Sequence, residues 1–455
     1  MSASRNSDKV KKSAKDQRLI INTLYKESLG YVPMRMKPVH FATSFLLCLH
    51  QRYFRLELLN KAANPKAEEK SAGDEYVADN LYQRLLDANQ PIIDSTVNIE
   101  AFKLLRNHIN AAYNNDGAAL GPAFRPYKTF GCDYSTPSLG YLGNLSKNHG
   151  NAGALVWLVL NSTADGKQFL ALAKDIATKA EGPATALGSP FLIDQEEKYE
   201  EEISRLCGDP SLESLTAISE LMKLQTEALL CLAKNLQNHP SSYALRELII
   251  GVGSWLLVYQ IRRIPGAEET IFFCDFAGDI RLQLRAQAMA CYARQLGLFG
   301  KSIQLWLNVN PEKITEEVEQ AAESLDVNIS KELEDHFRDF SERIGWVQPR
   351  SGTQRKYFRA VPDTLSVLLI SVLKKNEVCT MDQVAARLRE HWHLIVGLLP
   401  EDHAILRQHG YTPLDEDADL RVNRDSFKRL AIHLGFAWEP SDGLVLFSLT
   451  PNQFS

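Results

Sequence analysis

The sequence lacks the short motifs that identify the commonest enzyme classes. Its 455 residues contain no GxxxxGK[ST] phosphate loop, no GxGxxG, no HExxH and no GxSxG. Such motifs place backbone amides on phosphates, histidines on zinc, or a serine at a sharp strand-to-helix turn. Their absence is evidence against the usual nucleotide-binding proteins, metalloproteases and hydrolases. We therefore expect no cofactor and a protein whose task is binding rather than catalysis.

An excess of positive charge and any disulfide pattern are also missing. Lys and Arg number 51 against 56 Asp and Glu, which gives a net charge of −5. A chain of this charge does not coat nucleic acid by bulk attraction, so any contact with DNA requires a local basic face. The seven cysteines occur singly, without a CxxC pair. This pattern favours reduced thiols over a disulfide framework or a zinc knuckle.

Long hydrophobic runs are scarce. The first 18 residues are rich in Ser and Lys and have no apolar core of the kind that a signal peptide needs. The most apolar stretch, Leu248–Ile261, is shorter than the roughly 20 residues of a spanning helix and is followed directly by two arginines. It is predicted to be a buried core helix. We expect a cytoplasmic protein that does not enter a membrane.

The residues that are present indicate a mainly α protein, with helical N-terminal and central domains followed by a C-terminal winged-helix (α/β) domain. Apolar residues recur at helical spacing through most of the chain, and breaker residues separate the helical runs. The predicted organisation is a disordered basic tail at 1–18, a helical domain at 19–180 with an irregular loop at 114–153, a helical bundle at 181–345, and a winged helix at 358–455.

Several elements inside the first two domains follow from the same patterns. Residues 40–62 and 211–238 are each predicted to form one helix, and 242–261 a helix at the centre of a bundle. The run TIFFCDF at 270–276 is β-branched and aromatic, which predicts a lone strand.

The order of elements in the last hundred residues predicts the winged helix. A helix with Pro at its start is followed by a short extended piece, a second helix capped by Thr380, a third helix after an insertion, and a hairpin whose turn is Pro-Ser-Asp-Gly. The predicted bounds are 362–375, 377–380, 381–392, 423–434 and 436–449.

The third helix of this domain is the candidate DNA-binding element. Arg421, Arg424 and Lys428 recur three and four residues apart, so they share one face opposite the apolar residues. In helix-turn-helix proteins the equivalent helix lies in the major groove, where Arg and Lys reach phosphates and guanine edges. The alternatives are that these are ordinary solvated cations, or that the winged helix docks onto a protein.

A second basic segment precedes the domain. Arg355, Lys356 and Arg359, together with Arg343 and Arg350, form a run of cations with few acids that is predicted to lie along a DNA backbone. An acidic insertion before the third helix would repel phosphate unless it folds away; its members are Asp415, Glu416, Asp417 and Asp419.

The sequence leaves some candidates for chemistry. Asp275 and Asp279, with Arg281 and Arg285, are the basis of an alternative hypothesis, a divergent metal-dependent nuclease; a turn capped by aspartate explains the same residues. Three other candidates are weaker. Asp194, Glu196 and Lys198 are predicted to lie in a helical acidic run, and the i, i+2 spacing of His391 and His393 does not favour binding of one metal ion. The glycine-containing loop 143–153 is a candidate anion-binding site.

The C-terminal quarter resembles the winged-helix tails of accessory proteins in bacterial anti-phage defence islands, including restriction-associated systems. The segments that show the resemblance are FRAVPDTLSVLLISVL, MDQVAARLREHW and VNRDSFKRLAIHLGFAWEPSDGLVLFSL. It implies partner subunits such as an ATPase or a nuclease, and it supplies no catalytic residue. The resulting hypothesis is a non-enzymatic subunit of a prokaryotic defence complex that binds partner proteins through its helical domains and duplex DNA through the winged helix. A pure protein-binding scaffold is the remaining alternative.

Overall fold

The computed structural model describes residues 14–33, 38–54, 151–180, 192–194, 199–278, 281–324, 328–349, 355–397, 399–410, 419–441 and 444–450. Within these residues the protein is mainly helical, with sixteen α-helices and four small sheets. Residues 114–150 of the predicted loop 114–153, the acidic residues 415–417 and the tip of the hairpin lie outside the described residues. The last three residues of that loop, 151–153, are not irregular, because they form the first turn of a helix that begins at Asn151.

Eight of the described helices and two of the described strands belong to the first 262 residues. They are α1 Ala14–Leu29, α2 Pro38–His50, β1 Arg52–Phe54, α3 Asn151–Asn161, α4 Ala164–Ala180, β2 Leu192–Asp194, α5 Tyr199–Leu206, α6 Leu212–Leu221, α7 Lys223–Leu236 and α8 Ser241–Arg262.

The remaining elements follow from residue 272 onward. They are β3 Phe272–Phe273, α9 Leu282–Gly300, α10 Ser302–Val309, α11 Glu316–Ser324, α12 Ile329–Arg343, β4 Val347–Gln348, β5 Tyr357–Phe358, α13 Pro362–Val372, β6 Cys379–Thr380, α14 Met381–Trp392, β7 Leu394–Ile395, α15 Pro400–Gln408, α16 Arg421–His433, β8 Ala437–Ser441 and β9 Leu444–Phe447.

The N-terminal region differs from the expectation at two points. Helix α1 begins at Ala14, so residues 14–18 of the predicted disordered tail are helical, and the Arg18 guanidinium donates to both carboxylate oxygens of Glu332 at 3.0 and 3.1 Å. The helix predicted over 40–62 ends at His50, because Gln51 adopts a left-handed backbone with φ of 52°. The chain then continues as β1.

The acidic run near residue 194 is also different from the prediction. Asp194 is the last residue of β2, which pairs antiparallel with β1, so it lies on a strand and not in a helix. Strand β2 and strand β1 are almost 140 residues apart in sequence. Pairing over such a distance depends on tertiary packing that a local pattern does not contain.

The helix predicted over 211–238 is two helices. Ser211 caps α6, with its Oγ accepting from the amide of Ser214 at 3.1 Å, and α6 ends at Leu221. Met222 separates α6 from α7 with a non-helical backbone and a fully buried side chain. Of the predicted apolar positions, Ile218, Met222, Leu229 and Leu232 are buried, whereas Leu212 is 79% exposed.

Helix α8 is the central helix of the protein, as its composition predicts. Its side chains pack against α4, α7, α9 and α13, and Trp255, Leu256 and Val258 are fully buried. By length and composition α8 could cross a membrane, but nearly all of it is enclosed by the other helices. The burial explains why the helix is apolar nearly all round.

The strand predicted at 270–276 has a partner in the C-terminal part of the chain. Only Phe272 and Phe273 form β3, which pairs parallel with Leu394 and Ile395 of β7. All four side chains are buried. The buried hydrophobic residues of the described chain, from Ile21 to Phe447, form one contacting cluster, so the central bundle and the C-terminal elements share one hydrophobic core. The three predicted domain boundaries stay predictions.

The C-terminal elements follow the predicted order closely. Helix α14 covers the predicted residues, and Thr380 caps it in a reciprocal capping box with Gln383. Strands β8 and β9 form the predicted hairpin, and β6 pairs with β9, which gives a three-stranded sheet in the order β6-β9-β8. From α13 onward the described elements are helix, strand, helix, the short strand β7, helix, helix and hairpin.

Candidate nucleic-acid interface

The inner face of α16 holds the candidate helix in place. Phe427 is fully buried, and its ring lies 5.3 Å from that of Phe276 and 6.0 Å from that of Phe447. Ala431 is buried one turn later, as its i+4 spacing predicts. The helix is thus clamped between the loop after β3 and strand β9.

A second anchor is Asn423, a fully buried residue that the sequence does not single out. Its Oδ1 accepts from the amide of Phe276 at 2.7 Å, and its Nδ2 donates to the carbonyls of Cys274 at 3.0 Å and Val396 at 2.9 Å. One side chain therefore satisfies three backbone groups from two separate segments. Each of these groups would otherwise be buried without a partner, at a cost of about 1–3 kcal/mol.

The outer face of α16 consists of Arg421, Arg424 and Lys428. Arg421 is exposed, the side chain of Arg424 is 42% exposed and that of Lys428 is 23% exposed. The three cations therefore lie on one flank of the helix, about 60–120° around its axis from Phe427, and the Arg424 Nε is buried while the rest of this flank is accessible. This placement agrees with the helical spacing, while their binding of DNA stays a prediction.

Two carboxylates accompany these cations. The Lys428 ammonium lies 3.4 Å from the carboxylate of Glu439 on β8, and the Arg424 Nε lies 4.0 Å from that of Asp425. Such exposed pairs contribute little to stability and exchange readily with other partners. The outer face is therefore cationic but partly neutralised, a feature that the spacing of Arg and Lys alone does not reveal.

The second basic segment does not form one surface. Arg355 is exposed and lines a groove beside α9. The side chain of Lys356 is only 2% exposed, and its ammonium lies 2.5 Å from Glu342 and donates to the carbonyl of Pro349 at 2.7 Å. Lys356 is therefore occupied in the interior and is not available to a phosphate backbone. Arg350 lies outside the described residues.

Arg359 has a different neighbourhood again. Its guanidinium lies next to Gly278, where an added Cβ would come within 2.6 Å of an Arg359 nitrogen. It also lies near the carboxylate of Asp275. The same loop contacts Asn423 through Phe276, so Arg359 and α16 are held by one short segment. Among Arg355, Lys356 and Arg359, Arg359 is the one whose neighbouring loop also contacts the candidate helix.

The acidic insertion before α16 is described only at its last residue. Asp419 is 7% exposed, so its carboxylate is largely removed from the outer face. Burial of this kind removes part of the expected repulsion of phosphate.

Asp275 serves as a turn residue. Its side chain is fully buried, its Oδ1 accepts from the amide of Gly278 at 2.9 Å, and its Oδ2 lies 3.9 Å from the Arg285 Nε. Burial raises the pKa of this carboxyl, and the Gly278 hydrogen bond together with Arg359 and Arg285 opposes that shift. Asp279 lies outside the described residues. The geometry is that of an aspartate capping a turn beside two cations.

His391 and His393 lie in different environments. The His391 Nδ1 lies 3.0 Å from the carbonyl of Arg387, and His393 ends α14 in a left-handed conformation with φ of 54°. Burial, with Arg262 nearby, lowers the pKa of His393 to about 4. Among the described residues, no three His, Cys, Asp or Glu side chains come together as a metal site would require.

Neither the family models, nor the curated proteins, nor the solved structures with which the chain was compared contain a match to it.

Proposed function

We propose that this chain is a non-enzymatic subunit of a prokaryotic defence complex, in which the C-terminal elements form a winged helix that contacts duplex DNA through the outer face of α16. The helical surfaces of the remaining chain bind partner proteins, such as an ATPase or a nuclease. The defence setting is supported by the resemblance of the C-terminal quarter to winged-helix tails of accessory proteins.

The observation that supports the winged helix best is the strand order. A strand between the first two helices pairs with the second strand of the C-terminal hairpin, so the sheet order is β6-β9-β8. Helix α16 is the third helix of this unit if the inserted α15 is set aside, and it directly precedes the hairpin. In helix-turn-helix derivatives the third helix is the one that enters the major groove.

The distribution of side chains on α16 supports DNA as the ligand. The buried Phe427 and Asn423 fix the helix, while Arg421, Arg424 and Lys428 remain on the accessible side. A rigid helix with accessible cations presents phosphate-binding groups at little entropic cost.

A protein ligand for the same face is the second candidate function. Glu439 and Asp425 lie among the three cations, and a mixed-charge surface is suited to a protein partner with complementary charges. Fold alone does not decide between the two ligands.

A salt series on a charge-neutral variant tests the proposal. In the full chain, Arg421→Gln, Arg424→Gln and Lys428→Gln together should abolish most binding to a DNA duplex and flatten the slope of log affinity against log salt by about one unit per cation. The matched control replaces three exposed lysines of α4, Lys167, Lys174 and Lys179, by Gln. It removes the same charge and should keep the wild-type slope. If the wild type and the α16 variant bind duplex DNA equally, the DNA proposal is wrong and a protein ligand for this face is the function that remains.

A further inference from the structure

A groove lies along one side of α9. It has a volume of about 930 Å³, and its second wall is formed by the chain around β5. The residues that line it are Leu282, Arg285, Ala286, Met289, Ala290, Ala293, Pro349, Arg355 and Tyr357.

The floor of this groove is an accessible apolar helix face. Leu282 is 71% exposed, and Ala286, Ala290 and Ala293 are exposed at the following turns. A Cβ added at Gly297 would meet no atom within 4 Å, so the face stays open as far as Gly297; at Gly300, the last residue of α9, it would meet Glu334 at 2.9 Å. Small side chains at this spacing let a second helix approach closely, toward the lower end of the usual 8–10 Å range.

The rim of the groove is cationic. Arg355 is exposed on one wall, and the Arg285 guanidinium lies 4.9 Å from the centre of the Tyr357 ring with its Nε 3.9 Å from the buried Asp275 carboxylate, so Arg355 is the more accessible of the two cations. Helix α9 contains Arg285 and Arg294 and no acidic residue. An occupant with carboxylates flanking its apolar side chains would complement this surface.

We propose that this groove binds an acidic amphipathic helix of a partner protein. The inference rests on the proposed function, in which the helical part of the chain binds partners. The apolar face from Leu282 to Gly297 spans about 22 Å, which accommodates about four turns of a bound helix. A second copy of the chain is disfavoured as occupant, because two α9 helices would bring only positive charges together. Nucleic acid is disfavoured because the floor is aliphatic.

The test uses the full-length chain as bait for a displayed library of helical peptides of about 15 residues. Peptides are selected for binding to the wild type, and those that also bind Ala290→Glu are removed. The peptides that remain should have aliphatic residues at i, i+3, i+4 and i+7 flanked by Glu or Asp. Ala290→Glu places bulk and negative charge on the floor. Ala171→Glu on the exposed face of α4 is the matched control.

A synthetic copy of the enriched peptide then gives the affinities by fluorescence anisotropy. It should bind the wild type and Ala171→Glu equally, and Ala290→Glu and Arg355→Glu at least about tenfold more weakly. Replacement of its Glu and Asp by Lys should have the same effect. The absence of enrichment, enrichment of basic peptides, or equal affinity for Ala290→Glu would overturn the proposal. A wild-type dimer that Ala290→Glu dissociates would overturn it in favour of a second copy.

Binding of duplex DNA by the same variants separates this proposal from the proposed function. Ala290→Glu should keep the wild-type affinity and salt slope, because Ala290 lies on α9 and not on α16. If the DNA proposal fails and the peptide result stands, the groove remains a partner site. Loss of DNA binding by Ala290→Glu, with unchanged stability, would make the groove part of a nucleic-acid surface and overturn the peptide assignment.

Discussion

The two basic segments of the C-terminal region have similar compositions and different environments. On α16 the cations Arg421, Arg424 and Lys428 are accessible, whereas in the segment before α13 Lys356 is buried against Glu342 and Arg359 lies beside Asp275. The difference shows that helical spacing predicts exposure, because a helix has one fixed period. In a short extended segment, the exposure of each side chain depends on which other elements pack against it.

The largest expected difference is between substitutions on the buried side and on the exposed side of α16, measured as their effect on the free energy of unfolding. Phe427→Ala removes a ring packed between two others, which should cost about 3–5 kcal/mol of unfolding free energy. Ile432→Ala, on the same helix but 38% exposed, should cost under about 1 kcal/mol. Chemical denaturation of both variants measures the two losses. Similar losses would mean that the inner face of α16 is not a packed interface.

Two asparagines test the polar anchor of α16. Asn423→Ala leaves one amide and two carbonyls buried without partners and should cost about 3 kcal/mol. Asn308→Ala, at an exposed position of α10, should change the unfolding free energy by less than about 0.5 kcal/mol. A small effect at Asn423, measured by the same denaturation, would contradict its bridging of the three backbone groups.

Two cations test the difference between the basic segments directly. Lys356→Met leaves the Glu342 carboxylate, 16% exposed, without its ammonium partner and should lower stability by about 2 kcal/mol. Arg421→Met should leave stability within about 0.5 kcal/mol and weaken the binding of duplex DNA. Thermal denaturation and binding on the same samples give both results. DNA affinity that falls only for Lys356→Met would reverse the assignment of the two segments.

The smallest expected effect is the pH dependence from His393. Its folded pKa of about 4 lies below the usual value near 6.5, so the unfolded chain binds a proton more readily. The stabilising contribution is present above pH 6.5 and is lost as the pH falls toward 4, so it changes little near neutral pH. His393→Asn, which tolerates the left-handed backbone, should flatten this part of the profile. His433→Gln, at an exposed position of α16, should leave the profile unchanged.

Local patterns were sufficient for much of the C-terminal region. The bounds of α14, the capping role of Thr380, the hairpin β8–β9 and the inner position of Phe427 all follow from capping preferences, turn residues and helical period. The same reasoning was sufficient for α8, because a long helix that is apolar on nearly all sides removes its surface from water only at the centre of a bundle.

Other features could not be predicted because their causes lie far away in the chain. The break at Met222 depends on the helices that bury its side chain, and the pairing of β3 with β7 joins segments about 120 residues apart. The burial of Lys356 depends on Glu342 from α12, and the role of Asn423 depends on carbonyls of two other segments.

The sequence by itself determined the helical character of the chain, the order of the C-terminal elements and which face of α16 is apolar. These properties arise from interactions within about four residues, such as capping and the packing of one helix face. Only the tertiary structure decided which cations remain accessible, which polar side chains become anchors and where an apolar groove stays open. Those properties depend on contacts between distant segments, which form only when the whole core is assembled.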